Sequence, residues 1–541
     1  MALFDWVLIA LYFVAVFAVA FGVGRKEKLG EQTSAGYFLA GRNVGWFVIG
    51  ASLFASNIGT EHVLGLAGDG YDNGVAVAQF EILASLILLL LGWVFVPFYL
   101  KSGVYTMPEF LERRYDKWSR GYLAVISIIG YILTKISITI AAGGIVFQQL
   151  MGINFWTGAL IVIIATGVYT VFGGLRAVLY TDMLQMFILV GGALAITIIG
   201  LNQIGGWSEL YATADSSYFT LWEPAGPDSK YPWTGIIFGA PILGVWYWCT
   251  DQFIVQRVLS AHNIDHARRG TVWGGLLKQL PLFIFVVPGI IAYVLVQKEM
   301  MVAPESTNDT LPMLIQTLLP AGLRGLMVAA LLAALMSSLS SVFNSCSTLI
   351  AWDFYKRWKP KTTERQLVRI GQVSTAVMVA LGLAWIPFMD GVSDQLFQYL
   401  QSVQGYIAPP IAAVFLVGIS WKRVNARGAM AALISGFVFG MSRLLLELNK
   451  SSLNSDGIWF TIADINFLHF AAYLFLVCTA ILVVVSLLTD PPDEAKVKDL
   501  TFETVDPNEA MQYEPSWRIR DIGFSLVLVA IVAAVWLYFT G

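Results

Sequence analysis

The chain is 541 residues long, and 57% of it is hydrophobic before its 49 glycines are counted, against ~45–50% in soluble domains with glycine included. Charged residues make up 13%, with a net charge of −3, and this excludes both a soluble globule and a disordered chain. No basic patch points to a nucleic-acid partner, and a bilayer crossing takes ~20 apolar residues, so the composition describes a multi-pass helical protein with the lipid bilayer as its solvent.

Taken in chain order, the apolar runs predict fourteen spans, near 4–24, 44–70, 74–100, 120–149, 155–172, 178–203, 234–258, 271–297, 326–354, 367–388, 394–418, 426–446, 464–488 and 521–540. The first contains Asp5 and lacks a basic leader, so it reads as a span and not as a cleaved signal. Arg25, Lys26 and Lys28 follow it, which places the N-terminus outside by the positive-inside rule. Later loops alternate. Those assigned inside carry Arg42, Lys101, Arg113, Lys117, Arg268, Arg269, Lys356, Lys422 and Arg427, whereas Glu209, Asp215, Glu223, Asp228, Glu305, Asp309 and Asp390 fall outside. An even number of spans puts both termini outside. The acidic segment 490–518 is the one exception, since it should lie inside. Cys249, Cys346 and Cys478 sit far apart within apolar runs, as buried small residues and not as a disulfide or metal framework.

Two spans are interrupted at mid-membrane depth, the second by Ser56-Asn57-Ile58-Gly59-Thr60-Glu61-His62 and the seventh by Trp246-Tyr247-Trp248-Cys249-Thr250-Asp251-Gln252. They lie an odd number of spans apart, so the halves carrying them insert in opposite orientation. Paired broken helices in inverted halves point to a transport site at the midplane; the alternative is two kinked packing helices. Glu61, His62, Glu81, Lys135, Asp182 and Lys278 also fall inside apolar runs, each costing at least ~2.5–3.5 kcal/mol at mid-bilayer unless paired or hydrated. Glu81 and Lys278 could form a structural ion pair or offer fixed acceptors and donors to the hydroxyls of a neutral polyol. Lys135 reads as a structural partner within its bundle. Ala334, Ser337, Ser338 and Ser341 share one helix face. Their oxygens, opposite loosened carbonyls at Ala55 to Ile58, suit a small alkali cation, or the serines serve close packing.

The blocks FASNIGTEHVLGLAG, GVYTMPEFLERRY, FGGLRAVLYTDMLQ, WYWCTDQFIVQRVLSA, ALMSSLSSVFNSCSTL and PPIAAVFLVGISWKR resemble, in order, those of the solute:sodium symporters, above all the sodium/glucose and sodium/galactose cotransporters, from about residue 36 to 440. The resemblance implies an all-α fold of the LeuT type, with two inverted five-helix repeats, and alternating access. Its implied organisation is a peripheral first helix and loop at 1–43, a first repeat at 44–203, an outer loop at 204–233, a second repeat at 234–421 and peripheral helices at 422–541. It places a sodium ion at Ala55, Ile58, Ala334, Ser337 and Ser338, and a monosaccharide at His62, Glu81, Lys278 and Gln401, with Tyr247 and Trp248 beside it. Leu66, Phe80 and Phe397 fall on outer-gate positions and Tyr247 on the inner gate. Ser340 carries the hydroxyl of members that couple two ions, and a second sodium is expected at Ser56, Asp182, Ser340 and Ser341.

Some positions depart from the family pattern. His62 stands where bacterial galactose symporters have glutamine and animal glucose carriers have histidine, Ala84 replaces a serine, and Gly244 replaces an asparagine. The expected activity is therefore sodium-driven import of a glucose- or galactose-like hexose, not an enzymatic reaction, with myo-inositol, another small solute or a non-transporting sugar sensor as alternatives. The missing cysteine-rich outer loop points to a bacterial inner membrane.

Overall fold

Within a bilayer every backbone N–H and C=O must be satisfied by the chain itself, which leaves helices as the solution for long apolar runs. The computed structural model describes residues 1–28, 33–226, 229–385, 396–505 and 515–540, with side chains for all of these except 24–28, 133, 385, 396–399 and 515–517. Arg25, Lys26, Lys28, Asp228, Asp390 and Phe397 lie outside that set of side chains.

The principal helices are α1 (Leu3–Lys28), α2 (Trp46–Asn57), α3 (Thr60–Asn73), α4 (Gln79–Leu90), α5 (Lys117–Tyr131), α6 (Ser137–Val146), α7 (Phe155–Ile204), α8 (Ala240–Gly244), α9 (Gln252–Leu259), α10 (Ile264–Leu277), α11 (Val287–Gln297), α12 (Leu323–Leu349), α13 (Glu364–Trp385), α14 (Leu396–Ser420), α15 (Ala426–Leu448), α16 (Phe467–Leu488) and α17 (Pro515–Tyr538). Eleven helical stretches among the described residues are long and apolar enough to cross a membrane, against the fourteen expected.

The difference has physical causes. Helix α7 runs for 50 residues, well over the length one crossing needs at ~1.5 Å per residue, and it breaks at Gly174, where φ is 56° and ψ −162°. A Cβ there would come within 2.6 Å of the Tyr37 carbonyl, so only glycine allows this corner. Helix α2 has 12 residues, too few to cross alone. The α8–α9 segment is likewise divided, with a π-helical turn at Val245–Thr250 and extended backbone at Asp251 (φ −77°, ψ 129°).

Helix α12 is the centre of the molecule: 94% of its most apolar window is buried, compared with 22% for α1 and α17 and 33% for α15 and α16. It packs on α7, α1 and α13. Exposed Leu, Ile, Val and Phe side chains on α1, α7, α15, α16 and α17 form an apolar outer surface, which suits lipid.

Loop contacts sort the helix ends into two faces. On one, Arg42 donates to the carbonyls of Gly103 and Val104, and Val44 bridges to Ala261. On the other, Asp5 accepts from the amides of Gly322 and Gly325, Lys298 pairs with Glu209, and Leu221 donates to the carbonyl of Phe539. Both chain ends therefore lie with loops 204–233 and 298–325. The acidic segment that broke the charge pattern joins the basic face: Asp499 pairs with Lys101 at 2.9 Å and Glu503 with Lys422 at 3.2 Å. Its carboxylates complement the lysines of that face instead of opposing the topology.

Candidate functional site

The break between α2 and α3 creates the first feature. Helix α2 stops at Asn57 and α3 restarts at Thr60; the Gly59 amide turns back to the Asn57 carbonyl. The carbonyls of Ala55 and Ser56, which would accept from residues 59 and 60 in an unbroken helix, accept from α12 instead. Ser337 donates to Ala55 O at 2.8 Å and to Ala334 O at 3.0 Å, and Ser338 donates to Ser56 O at 3.0 Å. Ala55, Ile58, Ala334, Ser337 and Ser338 are all buried. The predicted cation residues thus meet across two elements as neutral carbonyl and hydroxyl oxygens, the donor type that hard cations take.

A cavity opens beside the break, lined by Asn57, His62, Phe80, Glu81, Tyr247, Trp248 and Gln401 among others. Ala84 and Gly244, which depart from the family pattern, also line it, and a Cβ at Gly244 would come within 3.0 Å of the Ile87 side chain on the same wall. Lys278 sits one layer behind the wall. It is 1% exposed, donates to both Glu81 and Asn57, and lies 5.3 Å over the Trp248 ring. Asn57 in turn donates to the Tyr247 hydroxyl at 2.9 Å. Tyr247 and Trp248 meet edge-on at 5.1 Å, giving the cavity an aromatic side.

Asn57 and Gln404 are cavity residues that the sequence reading did not select. Gln404 had a signal, since it stands one helical turn from Gln401 on α14. Of the expected gates, Phe80 lines the cavity and stacks on Phe467 at 6.4 Å. Leu66 is buried in α3 outside that wall.

Behind His62 lies a second group of buried polar residues. Glu61 is 3.6 Å from His62 Nδ1 and 3.7 Å from Lys135 Nζ, and it accepts from Thr139 at 3.1 Å. Lys135 therefore has the structural partner expected of it.

The expected second cation residues come together less completely. Asp182 Oδ2 accepts from Ser52 at 2.5 Å and pairs with Arg257 at 3.4 Å, and the same guanidinium donates to Ser341. Asp182 Oδ1 is buried without a hydrogen-bond partner among the described residues. Ser56 and Ser340 turn their hydroxyls to the carbonyls of Leu53 and Ser337. Ser52 was not anticipated; it lies one turn before Ser56 on α2.

Broken helices, a buried oxygen cluster and an adjoining polar, aromatic-walled cavity define a secondary transporter of the cation-coupled class. The sequence model of the sodium:solute symporter family matches residues 37–436. The chain is similar to sodium/glucose cotransporter 4 of Mus musculus, at 41% identity covering 93% of this chain and 78% of that protein. It is similar at 40% identity to the sodium/myo-inositol cotransporter of Mus musculus, covering 92% and 75%. Its fold matches a solved Na+-coupled sialic acid symporter in a substrate-bound outward-open state, with a TM-score of 0.77 at 23% identity, covering 91% of this chain and 98% of that one. The chain belongs to the sodium:solute symporter family, and its all-helical fold is of the expected LeuT type.

Proposed function

We propose that this symporter couples inward sodium flow to uptake of a neutral hexose or a closely related cyclitol by alternating access. The observation that carries the reading is the adjacency of the two sites along one strand of backbone. The carbonyls of Ala55 and Ser56 meet Ser337 and Ser338, while the next side chain, Asn57, is bonded to Lys278 and Tyr247 in the solute cavity. Sodium held by Ala55, Ile58, Ala334, Ser337 and Ser338 would fix the break, and with it the cavity wall. Coupling of this kind is reciprocal, so solute must tighten sodium binding by the same factor.

Glu81, His62, Asn57 and Gln401 supply acceptors and donors for hydroxyls, and Tyr247 and Trp248 supply faces for the apolar side of a ring. Among the described residues the wall holds no arginine to clamp a carboxylate, which favours a neutral solute. The similar glucose and myo-inositol cotransporters support both a hexose and a cyclitol. Phe80, Leu66 and Phe397 act as the outer gate and Tyr247 as the inner one.

A second sodium belongs to the proposal, anchored on Asp182 Oδ1 with Ser340 and Ser341 turning towards it. Its support is the unpartnered, buried carboxylate oxygen, because a group of that kind calls for a bound ion or water. The repeats are assigned to 44–203 and 234–421. The Lys- and Arg-rich loops face the cytoplasm of a bacterial inner membrane and both termini lie outside.

The test of substrate class is competition. At least one of unlabelled D-glucose, D-galactose and myo-inositol should displace uptake of a labelled hexose, whereas amino acids and sialic acid should not compete. Competition by a carboxylate at similar concentration would contradict a neutral-solute site.

A further inference from the structure

Lys496 and Lys498 are cations of an otherwise acidic segment, and they lie on a strap, 493–505, across the basic face. Val497 and Leu500 are buried beneath it. The Phe502 amide donates to the Ile419 carbonyl near the end of α14 at 2.9 Å. Lys496 donates to the Glu112 carbonyl at 2.8 Å, and Asp499 pairs with Lys101. Lys101 stands at the end of the helical stretch Thr60–Ser102, which includes α4. The strap thus joins the ends of the helices that carry Glu81 and Gln401.

Between the strap and the body of the protein lies a groove of about 480 Å³, lined by Lys101, Ser102, Arg113, Lys496, Lys498 and Asp499 among others. It is open to solvent, since Lys101 and Arg113 are both exposed. Its charges do not balance. Asp499 answers Lys101, and Glu109 answers Arg113 at 3.0 Å, in exposed pairs of the weak kind. The carbonyl that Lys496 meets neutralises no charge. Lys498 is exposed, and its ammonium has no partner among the described residues. Two positive charges are left over, with donors to spare. A phosphate group brings several anionic oxygens that can accept from such donors at once.

The level of the groove points to where that phosphate comes from. Trp118 and Trp358 are exposed at span ends on the same face, as in the aromatic belt of a membrane surface. Phe502 is 54% exposed and packs edge-on against Phe98 at 5.2 Å, which sets an apolar ring beside the cations. Lysines and arginines at that depth attract anionic lipid, and the ring suits the first methylenes of its chains. A soluble phosphate has no use for it.

We infer that this groove binds a phosphate-bearing anion, and that in the membrane its occupant is the headgroup of an anionic phospholipid. The lipid belongs to the leaflet that the basic loops face. Lys498 and Lys496 hold its phosphate from the strap and Lys101 and Arg113 from the opposite wall, so the occupant bridges the two.

Binding of a fluorescent phosphatidylglycerol to the purified full-length protein in neutral detergent tests this. Phosphatidylcholine with the same chains and inorganic pyrophosphate are the other probes. Phosphatidylglycerol should bind saturably and at least about tenfold more tightly than phosphatidylcholine. Lys498→Glu should weaken that binding at least roughly tenfold, because it reverses one charge beside the headgroup. Lys361→Glu alters an exposed lysine of the same face that does not line the groove, and should stay within about twofold of the wild type. Pyrophosphate bound without phosphatidylglycerol, and lost in Lys498→Glu, would keep the phosphate site and overturn the lipid as its occupant. Equal affinity for the two lipids, or equal losses in Lys498→Glu and Lys361→Glu, would mean diffuse surface charge and overturn the groove itself.

Discussion

Ser338 on α12 donates to the carbonyl of Ser56 at 3.0 Å, and one residue along, Asn57 binds Tyr247 at 2.9 Å. The oxygen cluster and the solute cavity are thus consecutive positions on the same broken backbone. Whatever orders one constrains the other, without a long chain of intermediaries.

Removing an oxygen from the cluster should act first on sodium. Ser337→Ala and Ser338→Ala should each raise the half-saturating sodium concentration roughly five- to tenfold, corresponding to about 1–1.4 kcal/mol for one lost interaction. Saturating sodium should restore the apparent solute affinity. Uptake measured as a sodium titration at several solute concentrations checks this, and a solute defect that persists at saturating sodium would place the serine in the solute site.

Lys278 and Glu81 form a buried ion pair, so breaking it from one side should be worse than removing both charges. Glu81→Ala leaves the ammonium uncompensated and should destabilise the protein by roughly 3–5 kcal/mol. The double variant Glu81→Gln with Lys278→Gln should recover yield and thermal stability but not transport. Melting in detergent, read alongside uptake, separates the two effects; a double variant that still transports would make the pair purely structural.

Gln401 faces the cavity without belonging to that pair. Gln401→Ala should weaken apparent solute affinity by about 1–3 kcal/mol, the range for a lost buried hydrogen bond. Its sodium half-saturation at saturating solute should stay unchanged. Equal shifts in both would show that Gln401 shapes the coupling and not the solute site.

The cation face and the break could be read from residue types and spacing, because serine hydroxyls at helical spacing and a polar interruption in an apolar run are local signals. Glu81 and Lys278 stood out by their insertion cost. Other features depend on tertiary contacts. Arg257 reaches Asp182 across 75 positions, and no periodicity announces that pairing. Asn57 looked like one more polar residue of the break until its contacts with Lys278 and Tyr247 gave it a place. At α7 the sequence reading separated two runs, 155–172 and 178–203, and the structure turns its corner between them at Gly174. The π-helical turn at Lys135 left no mark in the sequence reading, since one extra residue in a turn changes neither the composition nor the length of the run.

Stoichiometry tests the role of Asp182. Two sodium ions per solute are expected from reversal potentials in proteoliposomes. Ser340→Ala should lower the ratio to one, and because the Ser340 hydroxyl donates to the Ser337 carbonyl while Asp182 is held by Ser52 and Arg257, the variant leaves the Asp182–Arg257 pair intact. A wild-type ratio of one, unchanged in Ser340→Ala, would mean that Arg257 alone balances Asp182.

The central claim is that a sodium gradient drives a neutral hexose or cyclitol through this chain. The direct measurement is accumulation of labelled D-glucose, D-galactose and myo-inositol in proteoliposomes, with sodium outside and potassium inside, against equal sodium on both sides. At least one solute should accumulate above equilibrium only with the inward gradient, and Ser337→Ala should demand more sodium for the same rate. Equal uptake with and without the gradient, or binding without any accumulation, would contradict the account.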